Sequence, residues 1–504
     1  MSRSCCDHAH VCCGAISRRD LFAASAGLGV AAMPAAAWRK LTAGDHQPPI
    51  RRPLRVQPVL CYHIPQPRLQ ASWRSWGGLH NMEDVAGEKD RIARELEAMK
   101  AKADFPLELL PLAEARNPEE GKAVAEGDAD TILMYGAGSA VTTYEALNST
   151  RKWNIMFVRH RTGPAYRWYE VAHPRFLRKM VDEYGEASMD WDDVVVDSYD
   201  DVLWRLRALG GLKNTLGKKI VCVGGPGGWG GGGKQAPDLA RQIWKFDLIT
   251  ISYEEVEARI KAARADAALV AKSRAAADRY LAGNGVRLEI DAEPVRRSFL
   301  LTEVFQTFMD EAGADAFTIR DCMRAIMPIS ETTACLPLSL MNDQGYLAFC
   351  ESDFVVIPSG VLLHYIGGKP VFLNDPTYPH HGMVTLAHCT APRRMDGVRD
   401  EPVRILTHFE SDYGAAPKVE MRRGETVTNI VPDFDSKRWL GFQGEILENP
   451  FLDICRSQID VSVDGDCDLL VKEMRGFHWM TGYGAYLNEI GYALKRVGID
   501  WLTV

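Results

Sequence analysis

From residue 53 onward, short apolar runs alternate with segments of helical periodicity, and this pattern restricts the possible folds more than any other property of the sequence. The run "RVQPVLCYHI" precedes "EKDRIARELEAMKAKA", where Ile92, Leu96, Met99 and Ala103 recur at helical spacing, and "TILMYGAG" and "WNIMFVRH" follow. Strands that alternate with helices indicate a parallel sheet covered on both faces. We therefore predict a doubly wound, Rossmann-like α/β domain over residues 53–195.

A second α/β unit begins near "KKIVCVGGPGGW" and is predicted to occupy residues 196–370. It continues through an Ala-rich helical stretch at 252–281, the segment "RRSFLLTEVFQTFMDEAGA" and the strand-like "AFTIRD". After Lys369 the pattern changes to short β-rich runs separated by Gly, Pro and Asp, such as "PVFLND", "MVTLAHCT", "TVTNIVPDF" and "WLGFQGEIL". These runs predict an antiparallel barrel or sandwich over 371–504, with a final amphipathic helix "YLNEIGYALKRVG" and strand "IDWLTV".

Length and charge exclude some classes of partner. The chain has 504 residues, of which 46% are apolar, and its formal net charge is −8. Several hydrophobic cores are therefore expected, and no basic face is present that would favour nucleic acid. After the N-terminal region, no run reaches the roughly 20 apolar residues of a membrane-spanning helix.

The N-terminus has the layout of an export signal. Arg18 and Arg19 precede a weakly apolar stretch of small residues that ends at Ala37. We predict a twin-arginine signal and leader at residues 1–40, and a mature protein in the periplasm or another extracytoplasmic space. The alternative is an uncleaved N-terminus that contains Arg-Arg by chance. Upstream, "CCDHAHVCC" offers thiolate and imidazole ligands, either for adventitious binding by a leader or for a structural zinc site.

Three other patterns were weighed in the same way. Residues 228–234 satisfy GxxxxGK, but Gln235 stands where a phosphate-binding loop needs Ser or Thr, so we predict a flexible strand-to-helix loop. "DGDCD" at 464–468 lacks the glycine of a calcium loop and is predicted to be a hairpin turn. The eight cysteines after Ala37 are scattered and include no CxxC pair, which indicates buried, reduced thiols.

Four polar residues in the C-terminal third lie at the edges of apolar runs. They are Glu351 in "FCESD", Asp375 in "FLNDPTY", His388 in "LAHC" and His478 in "RGFHWMTGYG". Such side chains are costly there unless they are hydrogen-bonded, paired or bound to a metal. Carboxylates with imidazoles suit Mn²⁺, Mg²⁺, Co²⁺ or Fe²⁺ better than structural zinc, although each residue alone is compatible with an ordinary structural role.

The segments "ACLPLSLMNDQGYLAFCESD", "VLLHYIGGKPVFLNDPTY", "TLAHCTAP" and "GFHWMTGYGAYLNEIGYALKRVGIDWLTV" resemble the L-fucose isomerase and L-arabinose isomerase superfamily. The resemblance covers about residues 320–504, and "ASWRSWGGL" and "GGPGGWG" look like loops of the same group. It implies a divalent ion, usually Mn²⁺, held by Glu351, Asp375 and His478, with His388 as a further ligand. The arabinose-type pattern has Glu-Asp where this chain has Asn374-Asp375, so a shifted neighbour of Asp375 remains an alternative ligand.

The resemblance also implies the reaction. An aldose–ketose isomerase moves a proton between C2 and C1 through an ene-diol, with Glu351 and Asp375 as the acid and base. The implied assembly is a homotrimer or hexamer in which a neighbouring subunit completes the site. His380 and His381 are expected to be exposed or near the substrate. Five residues are candidates for contact with the sugar: Trp73, Arg74, Trp76, Asn374 and Trp479.

Two other functions are compatible with the sequence. One is a catalytically silent, exported sugar-binding protein that keeps the fold, a reading favoured by Asn374, which cannot act as a base. The other is a different metal-assisted reaction on a carbohydrate, such as that of a hydro-lyase or an oxidoreductase partner.

Overall fold

The computed structural model describes residues 46–148, 152–168 and 189–504. The predicted export signal and the Cys/His-rich leader at 1–40 lie outside the described residues. Asp45–Val504 group into one compact unit, so the boundaries proposed near residues 195 and 370 stay a prediction.

The described residues form strands β1 to β20, which are, in chain order, Leu54–Cys61, Leu107–Leu109, Ala113–Ala115, Thr131–Gly136, Trp153–Val158, Val194–Val196, Lys219–Val223, Asp247–Ile251, Val286–Leu288, Ala316–Ile319, Leu347–Cys350, Phe372–Pro376, Met383–His388, Val403–His408, Tyr413–Val419, Thr426–Val431, Arg438–Glu448, Ser457–Ser462, Trp479–Tyr483 and Asp500–Thr503. The α-helices in the same residues are Met82–Ala101, Pro118–Ala125, Val141–Leu147, Tyr199–Thr215, Ala236–Ile243, Tyr253–Ala265, Ala267–Leu281, Ala292–Ala312, Met327–Ser330, Cys335–Asp343, Ile357–Gly367, Cys467–Glu473 and Leu487–Lys495.

The first sheet is parallel and has the order β2-β1-β4-β5-β6, with β3 beside the second half of β1. Every residue of β4 is buried, as are all residues of β5 after Trp153. Burial on both faces explains why these strands are continuous apolar runs in the sequence. The predicted helix is confirmed at Met82–Ala101, which buries Ile92, Leu96 and Met99 and starts with a capping box at Asn81, whereas Ala103 lies beyond its end.

The second sheet is also parallel, with the order β11-β10-β7-β8. The molecule is thus a mixed α/β protein with two parallel, Rossmann-like sheets. The helical stretch predicted at 252–281 is two helices, not one. Asp266 ends the first and caps the second, because its carboxylate accepts hydrogen bonds from the backbone N–H groups of Ala268 and Leu269.

The β-rich C-terminal part contains a closed antiparallel barrel of six strands in the order β16-β19-β12-β13-β18-β17, closed by pairing of β16 with β17. The last strand, β20, adds to β17 in parallel. Of the two predicted architectures, the barrel is the one observed. A small separate sheet, β15-β14-β9, joins a strand of the central region to two from the C-terminal region.

Two smaller features complete the fold. "DGDCD" does not form a hairpin turn, since β18 ends at Ser462 and Asp466 caps the helix Cys467–Glu473 by accepting from Leu469 N–H. A capping carboxylate at the start of a helix explains the acidic residues there.

In the described part of the chain, no helix combines the length and the apolar character needed to cross a membrane.

Candidate metal centre

The candidate centre lies where the carboxyl edge of the second sheet meets the barrel. Glu351 directly follows β11, and the other three residues come from neighbouring barrel strands. Asp375 belongs to β12, His388 is the last residue of β13, and His478 precedes β19. The register pairs Asn374 with Trp479 and Asp375 with Ala387, which places Asp375 between the two histidines. The carboxyl edge of a parallel sheet is a common position for ligand sites.

These four residues, called here the Glu351 cluster, come into contact. His478 Nε2 lies 3.3 Å from Asp375 Oδ1 and 3.5 Å from Glu351 Oε2. His388 Nε2 lies 3.8 Å from Glu351 Oε1, while its Nδ1 is hydrogen-bonded to Thr390 Oγ1 at 3.1 Å. Ligand atoms of Asp375, His388 and His478 all lie within 4.8 Å of one another. The structure therefore brings together all four side chains selected from the sequence.

Two buried atoms in the cluster have unused hydrogen-bonding capacity. Asp375 Oδ1 and His478 Nε2 make no hydrogen bond with any described residue, although both are inaccessible to solvent. Buried polar atoms are rarely left in this state unless an ion or water completes them. A carboxylate oxygen and an imidazole nitrogen that face each other are suitable ligands for a divalent cation of the Mn²⁺ or Fe²⁺ type. The residues present thus fit such an ion.

The protonation states in the cluster are strongly perturbed. Burial would raise the pKa of Glu351, but the nearby imidazoles of His388 and His478 outweigh it and hold this pKa well below its usual range. Burial raises the pKa of Asp375. Burial would lower the pKa of His478, but its hydrogen bond with Asp353 and its proximity to Glu351 raise the value to about 10. The cluster therefore holds excess protons that a bound cation would displace.

Asp353 is a further candidate residue of this centre that the sequence analysis did not identify. It is 1% exposed, and its Oδ2 lies 2.7 Å from His478 Nδ1. Its Oδ1 accepts hydrogen bonds from the backbone N–H groups of Trp229 and Val355, both at 3.1 Å. A carboxylate on the outer nitrogen of a ligating histidine fixes the tautomer and the ring orientation. The sequence feature that could have identified it is a second acidic residue two positions after Glu351 in "CESD".

The backbone at Glu351 is in an unfavourable conformation. Glu351 has φ 63° and Ser352 has φ 52°, so two consecutive non-glycine residues adopt the left-handed region. The turn is held by hydrogen bonds from Ser352 N to Thr318 Oγ1 at 3.1 Å and from Ser352 Oγ to Gly225 O at 3.0 Å. Strain of this kind is typical of functional sites.

The glycine-rich loop forms one wall of the centre. It connects β7 to the helix Ala236–Ile243, as predicted, and pairs with the Glu351 turn through Gly227 N to Ser352 O at 3.1 Å. Its Trp229 is 45% exposed and packs against Phe477, which is 42% exposed, with ring centroids 4.7 Å apart. The Trp229 ring also lies 5.9 Å from that of His478. Two exposed aromatic rings therefore border the cluster.

Two of the residues predicted to contact a sugar lie inside the barrel. Trp479 is 1% exposed and packs against Phe442. Asn374 is fully buried, and its Nδ2 donates to Phe372 O at 2.9 Å and to Thr481 Oγ1 at 3.0 Å. Successive side chains of a strand point to opposite faces, so Asn374 faces inward where Asp375 faces the centre. Both residues have packing roles here.

The other predicted substrate residues belong to a different surface. Trp73, Arg74 and Trp76 lie in the segment before the helix Met82–Ala101. Gly78 N in this segment donates to Ala165 O, in the loop after β5, at 2.8 Å. Trp76 is 67% exposed, and the Arg74 guanidinium stacks on the Trp73 ring. In the part of the chain that the structure describes, no hydrogen bond, ion pair or ring contact joins them to the Glu351 cluster.

His380 and His381 are exposed in the loop between β12 and β13, which is one of the two positions expected for them. A separate surface cavity of about 560 Å³ is lined by Glu289, Arg297, Thr407 and Tyr413, and it includes no residue of the Glu351 cluster.

Comparison with protein-family models finds no match for this chain, and comparison with curated proteins finds none either.

Proposed function

We propose that this protein is a divalent-metal-dependent aldose–ketose isomerase of the type that the L-fucose and L-arabinose isomerases represent, active in carbohydrate metabolism. The observation that carries the proposal is the convergence of Glu351, Asp375, His388 and His478 around two buried, unbonded ligand atoms. The proposed ion is Mn²⁺, with Mg²⁺, Co²⁺ or Fe²⁺ as alternatives of the same ligand preference. Bound there, the cation would supply the electrophile that polarises two adjacent oxygens of the sugar.

Glu351 and Asp375 carry out different proton transfers: one moves the proton on carbon and the other the proton of the hydroxyl groups. Glu351 is the candidate for the base, because its carboxylate is ionised and lies beside His388 and His478, and it would accept the proton from C2. The same proton is then returned at C1 as the ene-diol collapses to the ketose. Asp375 has a raised pKa and is therefore suited to hold and release the hydroxyl proton that moves between O2 and O1.

The other residues would hold the cation, orient its ligands and border the substrate. His478 and His388 hold the cation, and Asp353 fixes the His478 ring through Nδ1. Trp229 and Phe477 offer apolar faces beside the centre, against which the C–H groups of a sugar chain can pack while its hydroxyl groups face the carboxylates. An aromatic wall next to acidic and imidazole groups favours a small polyhydroxylated substrate.

The remaining parts of the proposal rest on sequence. We propose two doubly wound domains in series before the barrel, export through the twin-arginine pathway to an extracytoplasmic compartment, and assembly into a homotrimer or hexamer in which a neighbouring subunit contributes to the site. Trp73, Arg74 and Trp76 are the candidates for that contribution, since Arg74 and Trp76 are exposed and Trp73 is half-buried. Asn374 no longer favours a silent sugar-binding protein, because its side chain lies in the barrel interior.

The test combines metal analysis with proton exchange. Protein purified without chelator is analysed for metal and then screened across aldoses and ketoses for deuterium incorporation from D₂O at C2. We expect Glu351→Gln to lower exchange by at least about 100-fold while metal is largely retained, because a positioned base contributes about 10²–10⁴-fold. His478→Ala should weaken metal retention. The matched control is His381→Ala, an exposed histidine of the nearby loop, which should change neither. Normal isomerisation by both site variants in chelator would refute the proposal.

A further inference from the structure

A second group of metal-binding side chains lies outside the Glu351 cluster. Cys335 is the first residue of the helix Cys335–Asp343, Cys389 follows β13, and His408 ends β14. They are 4%, 2% and 6% exposed, respectively. Cys455, in the loop between β17 and β18, packs against the same group. These four residues are called here the thiol cluster.

The geometry of the thiol cluster matches a metal site. One ligand atom from each of Cys335, Cys389 and His408 lies within 4.8 Å of the other two. Tetrahedral zinc, with bonds of about 2.3 Å to sulfur and 2.0 Å to nitrogen, holds its ligand atoms roughly 3.5–3.8 Å apart. The Cys389 thiol also contacts the thiol of Cys455. Cys455 is thus the candidate for a fourth ligand beside the other three.

Hydrogen bonds to His408 and Cys389 bear on how these two groups could act as ligands. His408 Nδ1 is hydrogen-bonded to Ser411 Oγ at 3.1 Å, which leaves Nε2 for a ligand. Burial lowers the pKa of His408, so its imidazole is neutral, as a metal ligand must be. The hydrogen bond with the Cys335 thiol and burial raise the pKa of Cys389, against the effect of the Arg456 backbone N–H that donates to its sulfur, so an ion bound here would displace the thiol proton.

We propose that Cys335, Cys389, His408 and Cys455 bind one Zn²⁺ ion as a structural site of the three-cysteine, one-histidine class. Three thiolates and one imidazole form a soft ligand set, unlike the carboxylate and imidazole set of the Glu351 cluster. The two sites therefore select different cations. Zinc here ties together a helix beside the second sheet, a barrel strand and the small sheet that contains β14.

The site also has a consequence for the Glu351 cluster. Cys389 immediately follows His388, so an ion at Cys389 fixes the end of β13 that presents His388. Zinc binding is thus expected to stabilise the fold and to restrict the position of one proposed ligand of the other centre. The inference itself stands independently of the isomerase function.

The experiment measures zinc in the full chain purified without chelator, and its replacement by Co²⁺. We expect about one zinc per chain, and thiolate-to-cobalt charge-transfer absorption after exchange. Cys389→Ser and His408→Gln should lose both signals. Cys61→Ser, which removes a buried thiol of β1, is the control and should keep both. Glu351→Gln should also keep both, so failure of this inference is distinguishable from failure of the isomerase proposal.

Three results would overturn the assignment. The first is wild-type protein that holds no zinc and gives no charge-transfer band with added Co²⁺, a measurement that does not depend on whether the variants fold. The second is a disulfide between Cys389 and either Cys335 or Cys455, found by peptide mass spectrometry without reduction. The third concerns the fourth ligand alone, since unchanged zinc affinity in Cys455→Ser would remove Cys455 from the site.

Discussion

Replacing Asp353 by Asn tests whether the Glu351 cluster is a metal centre, because Asp353 contacts His478 without belonging to the proposed ligands. The Asn side chain keeps an Oδ1 that can still accept from the backbone N–H groups of Trp229 and Val355. It replaces Oδ2 by an NH₂ group, which cannot accept from His478 Nδ1–H at 2.7 Å. The imidazole then loses the partner that fixes its tautomer and ring orientation.

These contacts determine how much Asp353→Asn should weaken metal binding and how much folding free energy it should cost. Loss of an outer carboxylate partner typically weakens metal binding by about 10–100-fold, which corresponds to about 1.4–2.7 kcal/mol. The folded state loses one buried, charge-assisted hydrogen bond, which contributes about 1.5–3 kcal/mol to stability. Because both backbone hydrogen bonds to Oδ1 are retained, we expect the cost in folding free energy to lie near the lower limit.

The assay is a Mn²⁺ titration followed by calorimetry or by the EPR signal of free Mn²⁺, with urea unfolding measured in parallel. The matched control is Asp193→Asn. Asp193 is 2% exposed and accepts from Tyr492 Oη at 2.6 Å, so this variant loses similar stability far along the chain from the cluster. A folded Asp353→Asn protein with the wild-type Kd for Mn²⁺ would refute the reasoning.

Three further predictions concern substrate, pH and stability. Trp229→Ala should raise KM about tenfold, the loss of about 1.4 kcal/mol of ring contact, and leave the Mn²⁺ Kd unchanged, whereas the exposed Trp191→Ala should alter neither. The raised pKa of His478 stabilises the metal-free fold fully below pH 6.5, and this stabilisation is lost as pH rises through about 10. The urea midpoint of metal-free protein should therefore fall between pH 7 and 10, and it should fall less in His478→Gln; an equal fall would contradict the assignment. Glu88→Ala removes one of the two carboxylates that pair with the buried Arg159 guanidinium, the one 2.5 Å away, while Glu95 remains; it should cost about 1.5–3 kcal/mol of unfolding free energy with no change in metal affinity.

The parallel sheets could be predicted because buried strands have a direct sequence signal. "TILMYGAG" and "WNIMFVRH" are apolar on both faces, and the strands β4 and β5 they form are buried on both faces. The split of the helical stretch at Asp266 was missed because the flanking alanines favour helix everywhere and only the capping side chain marks the break. Closure of the barrel depends on β16 meeting β17 with the correct register, which periodicity does not specify.

The four members of the Glu351 cluster were predictable as individual residues, since charged or imidazole groups at the ends of apolar runs need a partner. Asp353 was not, because its role depends on burial against a histidine 125 residues away. The burial of Trp479 and Asn374 was not predictable for a related reason. Successive residues of a strand face opposite sides. Asn374 and Trp479 therefore face the barrel interior because the neighbouring Asp375 and His478 face the centre, and the sequence does not show which of the two sets faces which side.

The left-handed backbone at Glu351 and Ser352 implies a conflict between folding and activity. Each such residue costs on the order of 1–3 kcal/mol relative to an unstrained conformation, whereas glycine adopts it readily. A chain selected for thermal robustness alone would place glycine at both positions. Glycine at position 351 would relieve this strain but would also remove the carboxylate that lies beside His388 and His478. The strained turn is therefore the condition for presenting a carboxylate, rather than a bare backbone, at this point of the centre.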